Sequence, residues 1–253
     1  MMKIRRLTME AQQTIARIDF GKCSVFSMTP QQVAEHDAEI VLYEQRQEER
    51  ERDSAFRLCG IGPEYFGCRF NNFRCNCKKQ EEMLGYARRL YASIVSGDNR
   101  SLVMYGSCGT GKTHLAAALL YEVTHTSRML EDYGIKTWYS GTYEMSDAIR
   151  SRLHATDAFG AKETREDVIM MYGSVSFLVI DEIGRSPSSD ENNALYAVIN
   201  ARYENRKPTL LISNYTYTEF CSALGSAAMS RLASCAAYVD TTGIPDQRYG
   251  GGK

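Results

Sequence analysis

Long apolar runs are missing from this sequence. No stretch reaches the roughly eighteen apolar residues that a membrane-spanning helix needs, so we expect no membrane span. Residues 1–20 carry basic side chains but no continuous apolar segment, which argues against a secretion signal. These two absences lead us to expect a cytoplasmic protein without a membrane partner.

An excess of charge of either sign is also missing. The 30 Lys and Arg residues are balanced by 31 Asp and Glu residues, and the formal net charge is −1 over 253 residues. Because a nearly neutral protein exerts no global attraction on nucleic acid, any binding of nucleic acid must use a local basic patch. The hydrophobic content of 43% is enough for one sizeable core and a smaller extension.

Paired C-x2-C motifs are absent, although the chain contains 8 cysteines. Four of them lie close enough in sequence to suggest a zinc site: Cys59, Cys68, Cys75 and Cys77. Their spacing differs from that of the usual zinc knuckles, since a single residue separates the last two. Zinc ligands and unrelated, partly buried thiols are the two interpretations that the sequence leaves open.

Residues 1–55 are expected to form a helical N-terminal extension. A first, amphipathic helix is predicted from apolar residues at helical spacing, namely Leu7, Ala11, Ile15 and Ile18. A second helix is predicted from Thr29 to about Asp53, because Pro30 suits the first helical position and Gln32 completes a capping box. The extension either docks on its own domain or binds a partner protein, and partner binding is our working hypothesis.

Residues 56–80 form a connector that is rich in aromatic residues and cysteine. Its aromatic side chains are too many for a mobile linker and are predicted to pack on the following domain: Phe56, Tyr65, Phe66, Phe70 and Phe73. Basic residues, among them Arg69 and Arg74, lie beside the rings. A nucleic-acid-binding surface is therefore the alternative interpretation of this segment.

Residues 81–253 alternate between predicted strands and predicted helices, which is typical of a parallel α/β sheet with helices on both faces. The predicted strands are Ser101–Tyr105, Lys136–Ser140, Ser176–Ile180, Thr209–Ser213 and Ala236–Asp240. The predicted helices are Glu81–Ser96, Thr113–His125, Thr142–Leu153 and Glu191–Asn205. We therefore expect one α/β domain in this region.

A phosphate-binding loop is predicted at Gly106–Thr113, whose sequence G-S-C-G-T-G-K-T matches G-x-x-x-x-G-K-[ST]. The loop follows a predicted strand and opens a predicted helix, as its mechanism requires. We expect Lys112 to reach the β- and γ-phosphates of ATP, and Thr113 to bind Mg²⁺. The predicted nucleotide-binding residues are Gly106, Ser107, Cys108, Gly109, Thr110, Gly111, Lys112, Thr113 and His114.

Two carboxylates, Asp181 and Glu182, follow the strand that is predicted to end at Ile180. Because parallel strands end at the same edge of a sheet, Asp181 is placed to bind Mg²⁺ beside the phosphate-binding loop. Glu182 is then placed to orient and deprotonate the attacking water, which makes it the predicted catalytic base.

Two further polar residues are candidates for catalysis. Asn214 follows the predicted strand Thr209–Ser213 and would hold the attacking water, or else it caps a turn. Arg231 is a candidate arginine finger that acts on ATP held by a neighbouring subunit, or else it forms a surface ion pair. Together with Lys112 and Glu182, they make up the predicted catalytic set.

Four segments in this order resemble the AAA+ ATPases, and more narrowly the DnaC-type helicase loaders and the IstB-type transposition helpers: Gly106–Leu119, Leu178–Gly184, Tyr203–Thr209 and Ser230–Leu232. The resemblance covers about residues 56–248. It implies a P-loop NTPase fold, ATP hydrolysis with Mg²⁺, and an ATP-dependent spiral homo-oligomer. It also implies that the protein binds single-stranded DNA and grips a replicative helicase with its N-terminal region.

The sequence differs from most AAA+ proteins at its C-terminus, where only Thr241–Lys253 follow the last predicted strand. This segment is too short for a C-terminal helical lid, and Arg248 is the candidate to take over part of the lid's role. By the same resemblance, Gly141–Gly173 occupies the place of an extra helix. Its basic residues contact phosphates or are simply solvated: Arg150, Arg152, Lys162 and Arg165.

The function expected from the motifs and the resemblance is that of an ATP-hydrolysing DNA replication protein that loads a replicative helicase onto single-stranded DNA. An IstB-like transposition helper is one alternative. A nucleotide-gated adaptor that hydrolyses little ATP is the other.

Overall fold

The computed structural model describes residues 29–126, 137–151, 164–185 and 188–247. The first predicted helix, at residues 7–18, lies outside these ranges. The chain divides into two compact units, Met1–Arg50 and Glu51–Lys253. Within the described residues, no helix is both long enough and apolar enough to cross a membrane.

Helix α1 spans Pro30–Arg57 and begins as the sequence predicts. The backbone N–H of Gln32 donates to Thr29 Oγ1 at 3.3 Å, and the backbone N–H of Thr29 donates to Gln32 Oε1 at 2.8 Å. These two bonds form the predicted capping box, which satisfies donors at the start of the helix. In the described part of the first unit, residues 29–50, nearly all side chains are exposed.

The described part of the second unit contains a sheet of five parallel strands in the order β2-β3-β4-β1-β5. The strands are β1 Ser101–Tyr105, β2 Thr137–Gly141, β3 Phe177–Ile183, β4 Thr209–Ser213 and β5 Ala236–Asp240. The predicted parallel sheet is confirmed, and β1, β4 and β5 have the predicted bounds. Strand β3 extends past its predicted end at Ile180 and includes Asp181 and Glu182.

Helices cover both faces of this sheet, as predicted. They are α2 Lys78–Ser96, α3 Lys112–His125, α4 Thr142–Ser151, α5 Arg165–Ser174, α6 Ser189–Glu204 and α7 Tyr217–Cys235. Successive strand residues point to opposite faces, so in β1 Leu102 and Met104 join one buried cluster while Val103 joins the other. The first cluster includes α2 and α3, and the second includes α4 to α7.

Helices α5 and α7 are not among the predicted elements. Each begins with a capping box, formed by Thr164 with Asp167 and by Thr216 with Glu219. Helix α7 is rich in Ala and Ser, its buried residues recur every four positions (Phe220, Leu224, Ala228 and Leu232), and Gly225 interrupts it with a φ of 74°. Helix α5 lies in the segment in which the family resemblance places an extra helix.

The aromatic side chains of the connector, residues 56–80, pack as predicted. Phe56 and Phe73 are buried in the first core cluster, and other rings lie against that cluster: Tyr65, Phe66 and Phe70. The guanidinium of Arg69 lies 3.2 Å from the ring centroid of Tyr121, in helix α3. This basic residue is therefore used inside the fold, where its charge meets the face of an aromatic ring.

The same segment covers the outer edge of strand β2. The backbone N–H of Tyr139 donates to the carbonyl oxygen of Cys59 at 2.7 Å. Since β2 is at one end of the sheet, this bond satisfies a donor on the side that has no neighbouring strand.

Candidate nucleotide-binding site

A cavity of about 420 Å³ lies at the carboxyl edge of the sheet. The turn after β1, the end of β3 and the residue after β4 meet there, because the strands are parallel. The predicted site residues that line the cavity are Cys108, Gly109, Thr110, Gly111, Lys112, Thr113, His114, Asp181, Glu182 and Asn214. Gly106 and Ser107 lead from β1 into the same loop. The fold therefore gathers residues that lie more than a hundred positions apart in sequence.

The phosphate-binding loop has the curled backbone that its glycines permit. Gly106 and Gly111 have φ values of 115° and 97°, a region that favours glycine. A Cβ atom at Gly111 would lie 2.5 Å from the ring of Phe73, so no side chain fits there without displacing the connector. Gly111 then caps helix α3, whose first residue is Lys112. The backbone N–H groups at this helix start form the region that attracts phosphate.

Lys112 is 5% exposed, and its ammonium group lies inside the loop. Its Nζ donates to the carbonyl oxygens of Gly106 and Ser107 at 2.9 and 2.6 Å. A positive charge is thus fixed beside the start of helix α3. Phosphate oxygens that enter the loop would meet this charge and the helix N-terminus together.

Thr113 and Asp181 are joined by a hydrogen bond. Thr113 Oγ1 donates to Asp181 Oδ2 at 2.9 Å, and the backbone N–H of Glu182 donates to Asp181 Oδ1 at 2.6 Å. Two oxygen ligands side by side on an octahedral Mg²⁺ ion, with bonds of 2.0–2.1 Å, lie about 2.9 Å apart. The hydroxyl and carboxylate oxygens therefore have both the chemistry and the spacing that this metal ion requires.

The carboxylate of Asp181 is 4% exposed. Burial raises its pKa above the usual value, while hydrogen bonds from the Glu182 backbone, Thr113 and Tyr139 act in the opposite direction. Burial and the neighbouring charge of Asp181 likewise raise the pKa of Tyr139. A buried carboxylate is held here at an energetic cost, and a bound cation would offset that cost.

Glu182 has an unusual backbone conformation. Its φ is 59°, in the left-handed region, and the pairing of β3 with β4 is irregular between Ile180 and Ile183. Such a conformation costs of order 1–3 kcal/mol in a residue other than glycine and is concentrated at functional sites. The Glu182 carboxylate accepts hydrogen bonds at 2.8 and 2.7 Å from Nη1 of the exposed Arg185.

Arg231 lies away from the other predicted catalytic residues. It lines a second cavity, of about 470 Å³, together with Ser101 and Thr209, the first residues of β1 and β4. This cavity is at the amino edge of the sheet, opposite the phosphate-binding loop. Arg231 Nη1 donates to the carbonyl oxygen of Ala227 at 3.1 Å, and the described residues contain no ion pair that involves Arg231.

Apart from Ile212 in β4, three residues that line the nucleotide cavity were not assigned to the site from sequence: Tyr65, Tyr139 and Gln247. The backbone N–H of Gln247 donates to the carbonyl oxygen of Gly109 at 3.0 Å, so the segment after β5 crosses the phosphate-binding loop. No local pattern marks these positions, because their approach depends on strand pairing and on the course of the chain after β5. The described residues after β5 contain no helix, and Arg248 lies outside the described residues.

The four cysteines that suggested zinc do not form a metal site in the described part of the chain. No group of three His, Cys, Asp or Glu side chains is found there in an arrangement that could hold a metal ion. Cys59, Cys68, Cys75 and Cys77 are free thiols, and burial raises the pKa of Cys59.

Comparison with known proteins agrees with this geometry. Residues 88–237 match the profile of a family described as IstB-like ATP binding protein. The chain belongs to this family. It is 30% identical over 178 residues to the replicative helicase loader DnaC of Escherichia coli strain K12, a match that covers 70% of this chain and 67% of that relative.

Solved structures share the fold of the IstB-like chain. A crystal structure of the DnaC helicase loader matches 71% of this chain and 99% of its own, with a TM-score of 0.58 and 20% identity. The AMPPCP-bound DnaA of Aquifex aeolicus matches 73% of this chain and 52% of its own, with a TM-score of 0.53 and 19% identity. The fold is that of the AAA+ P-loop proteins, as the sequence motifs predicted.

Proposed function

We propose that this chain hydrolyses ATP and uses the nucleotide cycle to load a replicative helicase onto single-stranded DNA. The observation that carries the proposal is a single cavity that contains Lys112, Thr113, Asp181, Glu182 and Asn214. Phosphate recognition, metal binding and water activation require these side-chain types next to one another. The 30% identity to a replicative helicase loader supports the choice of partner.

Each side chain has a defined part in the proposed reaction. Lys112 and the start of helix α3 would hold the β- and γ-phosphates, while Thr113 and Asp181 would hold Mg²⁺. The metal ion neutralises negative charge on the phosphates when it is bound. Asn214 orients the attacking water and Glu182 takes a proton from it, while the water oxygen bonds to the γ-phosphorus and the bond to the β–γ bridging oxygen breaks, so that ADP leaves.

The position of Arg231 leads us to propose a homo-oligomer. It lies at the amino edge of the sheet, whereas the nucleotide cavity of the same chain lies at the carboxyl edge. Contact between Arg231 and a nucleotide therefore requires a second copy that presents its carboxyl edge. A head-to-tail homo-oligomer meets this requirement, and a rotation that does not close would make it a spiral.

The proposed role of the N-terminal region depends on α1. Residues 29–50 form an exposed helix, and Val33, Ile40, Val41, Leu42 and Tyr43 are its large exposed hydrophobic residues. An exposed helix with apolar residues is suited to binding a groove on another protein. We therefore propose that this helix contributes to the grip on the helicase.

The proposal is tested with the purified full-length chain, a replicative helicase and single-stranded DNA. ATP turnover is measured with each component alone and together, and helicase retention is measured by pull-down. Turnover that rises with DNA and helicase, and retention that depends on residues 1–50, are the expected results. A truncation at Arg50 is the suitable comparison because the unit Glu51–Lys253 is kept whole.

Glu182→Gln separates hydrolysis from binding. The variant should bind ATP and retain the helicase, but its turnover should fall by at least about a hundredfold. If the full-length chain retains no helicase under any nucleotide condition, loading is excluded. If it retains helicase and the wild type shows no turnover, the chain acts as an adaptor and not as an ATPase.

A transposition helper is the second candidate, because the family to which the chain belongs is described as IstB-like. Such a protein would act on duplex DNA. Turnover that responds to duplex DNA and not to single-stranded DNA would favour this candidate over a helicase loader.

A further inference from the structure

The hydroxyl group of Tyr139 contacts the proposed metal site. It donates to Asp181 Oδ2 at 3.1 Å, the same oxygen that accepts the hydrogen bond from Thr113 at 2.9 Å. The other oxygen, Oδ1, accepts from the backbone N–H of Glu182. Donors therefore hold both oxygens of this carboxylate, and rotation of the carboxylate would break these bonds.

The backbone of Tyr139 is held from two sides. Strand β2 pairs with β3 so that Tyr139 lies opposite Val179, and on the other side the Tyr139 N–H donates to Cys59. Gly60 approaches so closely that a Cβ atom there would lie 2.5 Å from the carbonyl oxygen of Tyr139. The direction of the tyrosine side chain is therefore set by the sheet and by the connector together.

The side chain of Tyr139 also lines the nucleotide cavity, so its hydroxyl is at the site and not in a separate part of the core. Tyr139 is partly buried, and a backbone carbonyl would have been a sufficient partner for its hydroxyl. Here the partner is the carboxylate that is placed to bind Mg²⁺.

We propose that Tyr139 is a positioning residue for the metal site, whose hydroxyl holds Asp181 in the orientation that faces Mg²⁺ together with Thr113. The proposal rests on the proposed function and adds a residue that the phosphate-loop and strand motifs do not contain. Partners of this kind, which contact a ligand and not the metal, commonly change metal affinity by 10–100-fold. Because two other donors to Asp181 are kept, we expect an effect of about tenfold.

The test is an Mg²⁺ titration of nucleotide binding by the full-length chain. A fluorescent, non-hydrolysable ATP analogue is bound first in EDTA and then at increasing Mg²⁺ concentration. For Tyr139→Phe, the Mg²⁺ concentration that gives half of the full change in nucleotide binding should rise about tenfold. The affinity for the nucleotide in EDTA should match that of the wild type. Tyr143→Phe is the matched control, since Tyr143 is 56% exposed at the start of α4.

A second variant leaves the tyrosine intact. Gly60→Ala places a methyl group against the Tyr139 carbonyl and should also weaken the response to Mg²⁺. Thermal unfolding of each variant in EDTA shows whether the fold is kept. Agreement between the two variants would link the connector to the metal site.

The possible outcomes are distinct. If Tyr139→Phe titrates with Mg²⁺ like the wild type, the positioning role is wrong and the proposed function stands. If the variant binds nucleotide more weakly by the same factor with and without Mg²⁺, Tyr139 has a structural role and the proposal is again overturned. If the wild type binds no nucleotide, the proposed function falls, and this inference falls with it.

Discussion

The two edges of the sheet hold charged side chains in different ways. At the carboxyl edge, Lys112 and Asp181 are 5% and 4% exposed, and both are hydrogen-bonded within the chain. At the amino edge, Arg202 is 1% exposed, whereas Arg231 is partly exposed. Lys112 and Asp181 line the nucleotide cavity of their own chain, whereas Arg231 lines the cavity at the opposite edge of the sheet and cannot reach that site. We therefore assign nucleotide binding to one chain and the action of Arg231 to a second copy.

The two arginines of the amino edge show the same difference within one cavity. Arg202 donates to four oxygen atoms at 2.7–3.0 Å, those of Tyr172, Val175, Pro208 and Thr209. Three of these acceptors are backbone carbonyls, and two of those lie at the C-terminal end of α5, where a positive charge is favourable. Burial lowers the pKa of Arg202 to about 9. Arg202 is therefore a structural residue that joins α5, α6 and β4.

The largest effect is expected for Arg202→Met. Loss of the guanidinium leaves buried carbonyl oxygens without a donor, which should cost about 3 kcal/mol of folding free energy. For a unit of this size, the melting temperature should fall by roughly 6–12 °C. Arg206→Met is the control, because Arg206 lines the same cavity and is exposed. If the two variants have equal melting temperatures, the buried Arg202 stabilises the fold no more than the exposed Arg206 does.

Lys112→Ala tests the carboxyl edge. Removal of the ammonium group from the phosphate-binding loop should weaken ATP binding by at least about a hundredfold, since a charge-assisted contact to phosphate is lost. Calorimetric or fluorescence titration measures this loss. Lys78→Ala removes the same charge from an exposed position at the start of α2 and should leave ATP affinity unchanged. Unchanged affinity in Lys112→Ala would contradict the assignment of the cavity to nucleotide binding.

Arg231→Ala tests whether the amino edge of one copy acts on the nucleotide of another. ATP affinity and melting temperature should stay close to those of the wild type, while turnover should fall by at least about tenfold because the partner's nucleotide loses a positive charge. A mixture of Arg231→Ala with Lys112→Ala should regain part of the turnover. In that mixture the second variant contributes Arg231 and the first contributes the intact cavity. A mixture that is no more active than its components would argue against action between copies.

The sequence predicts the carboxyl edge well where its signals are local. The phosphate-binding loop and the pair Asp181-Glu182 each depend on a short motif next to an apolar strand, and both lie where the motifs predict. Tyr139 reaches the same cavity only because β2 pairs with β3 and the connector covers its other side. Helix α7 was not predicted, although its buried residues recur every four positions, because small residues weaken the apolar pattern and Gly225 interrupts it. Sites formed by short local motifs can thus be predicted from the sequence, whereas contacts that depend on the order of the strands cannot.

The smallest effect is expected for Asp181→Asn in buffer without Mg²⁺, because Asn removes the buried charge but also one of the two oxygens that accept hydrogen bonds. Burial raises the pKa of Asp181 above its unfolded value of 3.8. The charged side chain therefore lowers the free energy of unfolding at a pH above the folded pKa, and this loss disappears at a pH below the unfolded pKa. The variant should therefore melt a few degrees higher than the wild type near neutral pH, and the gain should shrink as the pH falls through the folded pKa of Asp181.

The matched control for this prediction is Asp240→Asn, because the hydrogen bond from Thr242 lowers the pKa of Asp240. Its sign is opposite: the charged side chain adds stability above the unfolded pKa, and this contribution is lost as the pH falls through the folded pKa. Asp240→Asn should therefore melt lower than the wild type near neutral pH. If Asp181→Asn also melts lower at every pH, the buried carboxylate stabilises the fold. The energetic cost that a bound cation is expected to offset at the carboxyl edge would then be absent.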